Sequence, residues 1–158
     1  MKLYLARHGL ALDSDVDPQR SLSEQGKAEV QLVAGQLSGA GVRVTRVWHS
    51  GKARAQQTAG LLARRLAPGA AVQAITGLAP NDPVDEFAVD ADVWQEDTLV
   101  VGHLPFMGRL MSLLLTGNED RLRSQFPAAG VACLERDATG SWVLHWLLGP
   151  AQCAGGAR

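Results

Sequence analysis

The chain has 158 residues, 46% of them hydrophobic and 20% charged, the size and mix of one globular domain with its own core. Fifteen Lys and Arg against sixteen Asp and Glu leave a net charge of −1, so no global basic field attracts nucleic acid. No apolar run approaches the ~20 residues of a membrane span, and charge arrives too early, at Lys2 and Arg7, for a signal peptide. Two cysteines, Cys133 and Cys153, make no disulfide framework, so the expectation is a cytoplasmic protein with inert thiols.

Lys2 to Ala6 is a short apolar run and predicts a buried strand ending at Arg7. After a polar stretch, Ser23 reads as a helix N-cap, with Val30, Val33, Ala34 and Leu37 on one face and Gly39 and Gly41 as the stop. Val42 to Trp48 predicts a second strand. Ala53 to Leu66 predicts a helix with Ala55, Ala59, Leu62 and Leu66 on one face, broken by Pro68-Gly69. Ala71 to Ile75 predicts a weaker strand, and Asn81-Asp82-Pro83 a helix start. Thr98 to Val101 is a fourth strand, and Pro105 opens a helix through about Leu115. Strands from Gly130 to Glu135 and Trp142 to Leu147 flank a hairpin turn at Asp137 to Gly140. The expected organisation is one domain over 1–150 and a flexible, glycine-rich tail over 151–158.

This alternation predicts an α/β fold of three layers: a mostly parallel central sheet, helices on both faces, and an antiparallel hairpin at one edge. In such sheets ligands bind beyond the carboxyl ends of the strands. Three predicted strand ends carry reactive residues there. They are Arg7-His8-Gly9, His49-Ser50-Gly51-Lys52-Ala53-Arg54 and Gly102-His103-Leu104-Pro105.

The chemistry of this set fits an anion. Arg7 and Arg54 offer fixed, always-charged forks that match phosphate oxygens. Arg54 and His103 fall at helix starts, where free N–H groups also favour negative charge. Gly9 is expected to let backbone approach a ligand. A neutral imidazole is a nucleophile near neutral pH, so His8 is the candidate for covalent attack on phosphorus. His49 reads as a strand-end residue beside the site, and His145 as structural. A zinc site from His8, His49 and His103 lacks the short spacing of metal motifs, and the arginines would repel a cation.

Leu5-Ala6-Arg7-His8-Gly9 resembles the signature of the histidine phosphatase superfamily, the phosphoglycerate-mutase-like fold. Further segments match in order: Arg20-Ser21-Leu22-Ser23-Glu24-Gln25-Gly26, Ser50 through Arg54 to Ala59, and Val100 to Pro105. Within that superfamily the chain is most similar to the short SixA-type phosphohistidine phosphatases. The resemblance implies that His8 becomes phosphorylated and that Arg7, Arg54 and His103 form the phosphate pocket. It implies that Arg20 reaches the phosphate or gates the pocket, and that Gly9, Ser50 and Leu104 belong to the substrate-binding segments. Gln56 and Thr58 would hold their helix in place. No metal and no organic cofactor is implied.

The chain departs from the family's pattern at Gly51, where proline is usual. No clear glutamate follows the third strand, where many superfamily esterases carry a general acid. Asp82 is the candidate there, either as that acid or as a helix cap. Expelling an alkoxide wants a proton donor, whereas imidazole is a far better leaving group. The implied activity is a metal-independent phosphohistidine phosphatase. Its partner would be a phosphorylated protein such as a histidine phosphorelay component, with no nucleic acid and no membrane involved. The alternatives are a small phosphomonoesterase of the same fold and a non-catalytic module that binds phosphorylated ligands.

Overall fold

In a computed structural model that describes residues 1–154, six strands form one sheet in the order β3-β2-β4-β1-β5-β6. The strands are β1 (Lys2–Arg7), β2 (Arg46–His49), β3 (Val72–Ala74), β4 (Thr98–Gly102), β5 (Val131–Arg136) and β6 (Trp142–Leu148). β3, β2, β4 and β1 run parallel, while β5 is antiparallel to β1 and β6 to β5. The expected mixed sheet with an antiparallel edge hairpin is what forms.

Alternation along the central strands divides the core between the two faces. Leu3 and Leu5 of β1 and Val100 of β4 join one cluster with α3 (Asp85–Ala91) and α4 (Phe106–Thr116). Tyr4 and Ala6, with Leu99 and Val101, join the other, under α1 (Glu24–Gly39) and α2 (Ala53–Leu66). The Ser23 hydroxyl caps α1 by accepting from the Gly26 N–H at 3.0 Å.

The register positions the chemistry. Arg7 lies opposite Gly102 and His49 opposite Val101, on adjacent strands β1, β4 and β2. The three reactive segments therefore leave the sheet side by side at its carboxyl edge, where the chain from β1 crosses β4 to reach β2.

Three boundaries differ from the sequence expectation. The second strand begins at Arg46 rather than Val42, because Val42 and Val44 donate their N–H groups to Leu37 and Leu66, the ends of α1 and α2. The third helix begins at Asp85 rather than near Asn81. The Asp82 N–H and carboxylate both close on Ala79, at 3.1 and 2.9 Å, and make a turn first. The expected tail from 151 onward is in part a fifth helix, α5 (Pro150–Ala154), with Cys153 buried against the α1 side of the core. Residues 155–158 of that expected tail lie outside the described residues. Among the described residues, no helix is long and apolar enough to cross a membrane.

Candidate functional site

His8 follows β1 directly. Its backbone N–H donates to Gly102 of β4 and its carbonyl accepts from Ala129, so both backbone groups are held. Its Nδ1 lies 2.7 Å from the Gly9 carbonyl. A carbonyl oxygen only accepts, so Nδ1 carries the proton and the lone pair sits on Nε2. Burial pushes the His8 pKa down to about 4; the Gly9 bond works against this, and the charges of Arg54, Arg7 and Arg20 add to it. At neutral pH the ring is therefore neutral, with a free nucleophilic nitrogen.

The Gly9 peptide is itself anchored. Its N–H donates to Thr58 Oγ1 at 3.0 Å, and that hydroxyl donates to the Arg54 carbonyl at 2.8 Å. Thr58 is fully buried. Thr58 is expected to hold its own helix; it supports the His8–Gly9 loop as well. Gln56 is exposed, and its neighbour Gln57 makes the cross-link instead, accepting from the Leu22 N–H at 2.7 Å. Gly9 departs from its expectation. A Cβ there would stand 2.8 Å from Val30 Cγ2 and 3.1 Å from the Gly26 carbonyl, so glycine serves the packing of this loop on α1 rather than a ligand's approach. Gly26 returns the constraint: a Cβ on it would sit 2.1 Å from the Leu10 carbonyl.

Arg7 ends β1 and donates through Nη1 to the Phe126 carbonyl at 2.9 Å. Arg54 lies in the first turn of α2. Burial pushes both guanidinium pKa values down, with Arg20 adding to the effect on Arg54, yet both stay charged near neutral pH. His103 links β4 to α4, and its carbonyl accepts from the Met107 N–H at 2.9 Å. Its ring centroid is 5.1 Å from that of His8. It is 1% exposed, and its Nε2 lies 2.6 Å from Ser50 Oγ. Burial, then the neighbouring His8, Arg54, Lys52 and Arg20, push its pKa down to about 3.

Arg20 comes from the loop between β1 and α1. It adopts φ 53°, a left-handed conformation rare for a residue with a side chain, and its Nε donates to the Leu12 carbonyl at 3.3 Å. Its charge reaches His8, Arg54 and His103. Arg7, His8, Arg20, Ser50, Arg54 and His103 are thus brought together from four segments. Buried side-chain nitrogens without a partner among the described residues include Arg7 Nε, Arg54 Nε and His103 Nδ1. Two guanidinium N–H groups and one ring nitrogen of a single site, all lacking partners, suit a tetrahedral oxyanion, which offers several acceptors.

The remaining candidates fall around this centre. Leu104 is half-buried and, with Arg7, lines a cavity of about 680 Å³ that runs past Phe126 and Pro127 to Gly149 and Gln152. Asp82 does not cap α3; its carboxylate accepts from the Ala79 N–H in its own turn. His49 is buried and accepts through Nδ1 from the Gly51 N–H, the strand-end role expected. Gly51 stands at φ 91°, which proline cannot adopt, so this loop takes a course closed to the family's usual residue. His145 pairs with Glu135 at 2.9 Å on the hairpin, away from the site. Sequence reasoning missed the Lys52 charge that acts on His103 and the Phe126 carbonyl that holds Arg7. Lys52 had a signal, since it lies inside the Ser50 to Arg54 segment; Phe126 had none.

Residues 3–79 match the model of the histidine phosphatase superfamily, branch 1. The chain is 28% identical over 155 residues to the phosphohistidine phosphatase SixA of Escherichia coli, covering 95% of this chain and 94% of that protein. It is 33% identical over 125 residues to an uncharacterized Picosynechococcus protein, 74% of each. The structure of the protein histidine phosphatase SixA complexed with tungstate superposes with a TM-score of 0.84 at 28% identity, over 96% of this chain and 98% of that one. The order of segments, the sheet that aligns them and these similarities agree: the chain belongs to the histidine phosphatase superfamily and is SixA-like within it.

Proposed function

We propose that this chain is a phosphatase that removes the phosphoryl group from a phosphorylated histidine on a protein, by way of a phospho-His8 intermediate. The observation that carries the proposal is the state of His8. Its proton is committed to the Gly9 carbonyl, its Nε2 is bare, and Arg7, Arg20 and Arg54 surround it with positive charge. The Nε2 lone pair attacks phosphorus while the bond from phosphorus to the substrate's imidazole nitrogen breaks. A protonated phosphoimidazole then leaves as neutral imidazole, with no proton to find. Arg7, Arg54 and His103 hold the equatorial oxygens, and Arg20 closes on them from its loop. Water next attacks phosphorus, releasing inorganic phosphate and restoring His8. No step calls on a metal or an organic cofactor.

One feature supports phosphohistidine over a phosphate ester: the Asp82 carboxylate is engaged with Ala79, which leaves it poorly placed to protonate an alkoxide. SixA, the similar protein, is named for the same chemistry. The proposed catalytic domain spans 1–150, and a cytoplasmic setting fits two free, buried cysteines. The test is hydrolysis of a phosphohistidine-bearing protein and of p-nitrophenyl phosphate in parallel, with EDTA present. Preference for the first supports the proposal. Preference for the second moves the function to a phosphomonoesterase, and binding without turnover on either moves it to a phospho-ligand module.

A further inference from the structure

We propose that Ser50 is a positioning residue that acts through His103, holding its imidazole in the tautomer with the proton on Nδ1. This rests on the reading above, in which a phosphoryl oxygen meets His103. A neutral imidazole carries one N–H, so His103 can donate to that oxygen only if the proton sits on the nitrogen facing it. Nε2 is taken, at 2.6 Å from Ser50 Oγ. Nδ1 is buried without a partner, on a residue 1% exposed, and is the nitrogen left to face a ligand.

The Ser50 hydroxyl sets which nitrogen holds the proton. It either donates to a bare Nε2 or accepts from Nε2–H. The second arrangement would present a bare Nδ1 lone pair to a phosphoryl oxygen, which is repulsive. The structure supplies a reason for the first: the Lys52 backbone N–H points at Ser50 Oγ from 3.4 Å. With that contact accepted, Nε2 is the one acceptor among the described residues for the hydroxyl's own proton, so the second arrangement would also leave that proton without a protein partner. The chain of donors then runs one way, from the Lys52 N–H to Ser50 Oγ, from Ser50 to His103 Nε2, and from His103 Nδ1 to the phosphoryl oxygen. Burial first, and then the positive charges around His103, keep the ring neutral and so make its tautomer matter. His8 is fixed in the same tautomer by a different device, the Gly9 carbonyl. The two rings are thereby opposite in role: His8 presents a bare Nε2 to phosphorus, and His103 an Nδ1–H to oxygen.

The experiment reads the tautomer directly, by the imidazole nitrogen shifts of the full-length protein at pH 7.5, with His103 assigned by its loss in His103→Gln. The expected result is a protonated Nδ1 and a bare Nε2 in the wild type, shifting to a mixture or to Nε2–H in Ser50→Ala. In the same variants, kcat/KM on a phosphohistidine protein falls about 10-fold to 100-fold in Ser50→Ala. Ser50→Thr, which keeps the hydroxyl, recovers most of the loss and the wild-type tautomer. A wild-type His103 protonated on Nε2, or a tautomer unchanged in Ser50→Ala, overturns the proposal. If Ser50→Ala fails to fold, the wild-type spectrum decides alone. An Nδ1–H tautomer in a wild type with no phosphatase activity would instead sink the functional reading while supporting the role of Ser50.

Discussion

Replacing Thr58 by Val removes one hydroxyl at nearly constant size, in a position fully closed to solvent. The Gly9 N–H then loses its acceptor at 3.0 Å and stays buried. Stranding a buried amide costs about 1–3 kcal/mol. The Arg54 carbonyl loses a donor too, but at 2.8 Å that hydroxyl only supplements a carbonyl within α2. A loss of about 2 kcal/mol in a domain of this size lowers Tm by roughly 4–8 °C. Function suffers through the same peptide, because the Gly9 carbonyl holds His8 Nδ1 at 2.7 Å. A loosened Gly9 lets the ring rotate away from in-line attack, and kcat falls about 10-fold. Urea unfolding should show a lower midpoint with an unchanged slope. Thr58→Ser, which keeps the hydroxyl, should retain most of the activity. A Thr58→Val protein with wild-type midpoint and wild-type kcat would refute the link between α2 and His8, the proposed nucleophile.

Three other positions give sharp expectations. Gly26→Ala drives a Cβ to within 2.1 Å of the Leu10 carbonyl, so thermal unfolding should show a loss of at least about 2 kcal/mol, or little soluble protein. Because the His8 pKa is lowered to about 4, kcat/KM should persist well below pH 6.5 and fall only as pH approaches 4, where Nε2 takes a proton. Stability follows the same sign. Between about pH 4 and 6.5 the unfolded chain binds a proton at His8 that the folded protein does not. His8 therefore adds a stability term that is full above pH 6.5 and is lost as pH falls toward 4, and His8→Gln should flatten the slope of stability against pH in that window. Asp82→Asn should change phosphohistidine hydrolysis by less than about 3-fold, since the Asn oxygen can still accept from Ala79.

Much of this site is legible in the sequence. Arg7, His8, Arg54 and His103 each follow or open a segment with a clear period, and the rule that ligands bind at strand ends groups them. The strand order that sets β4 between β1 and β2 is not legible, because pairing partners leave no local mark in an apolar run. The extent of β2 is hidden for a related reason. Val42 and Val44 have strand-like chemistry, but their N–H groups are captured by the ends of two helices, a tertiary event. Gly9 reads as a ligand-side glycine, and only the position of Val30 and Gly26 shows that its bare Cα faces α1. The Pro150–Ala154 helix is masked by a small, polar composition that reads as loose chain. Phe126 contributes a carbonyl, which every residue has, so no side-chain pattern points to it.

The proposed mechanism turns on His8 as the group that takes the phosphoryl. The most direct measurement mixes the protein with a phosphohistidine-bearing protein, quenches within milliseconds in base, where phosphohistidine survives, and locates phosphate by peptide mass spectrometry. Transient phosphate is expected on the peptide that contains His8, absent in His8→Ala, which also loses turnover. Turnover in His8→Ala, or phosphate trapped on any other residue, would contradict it.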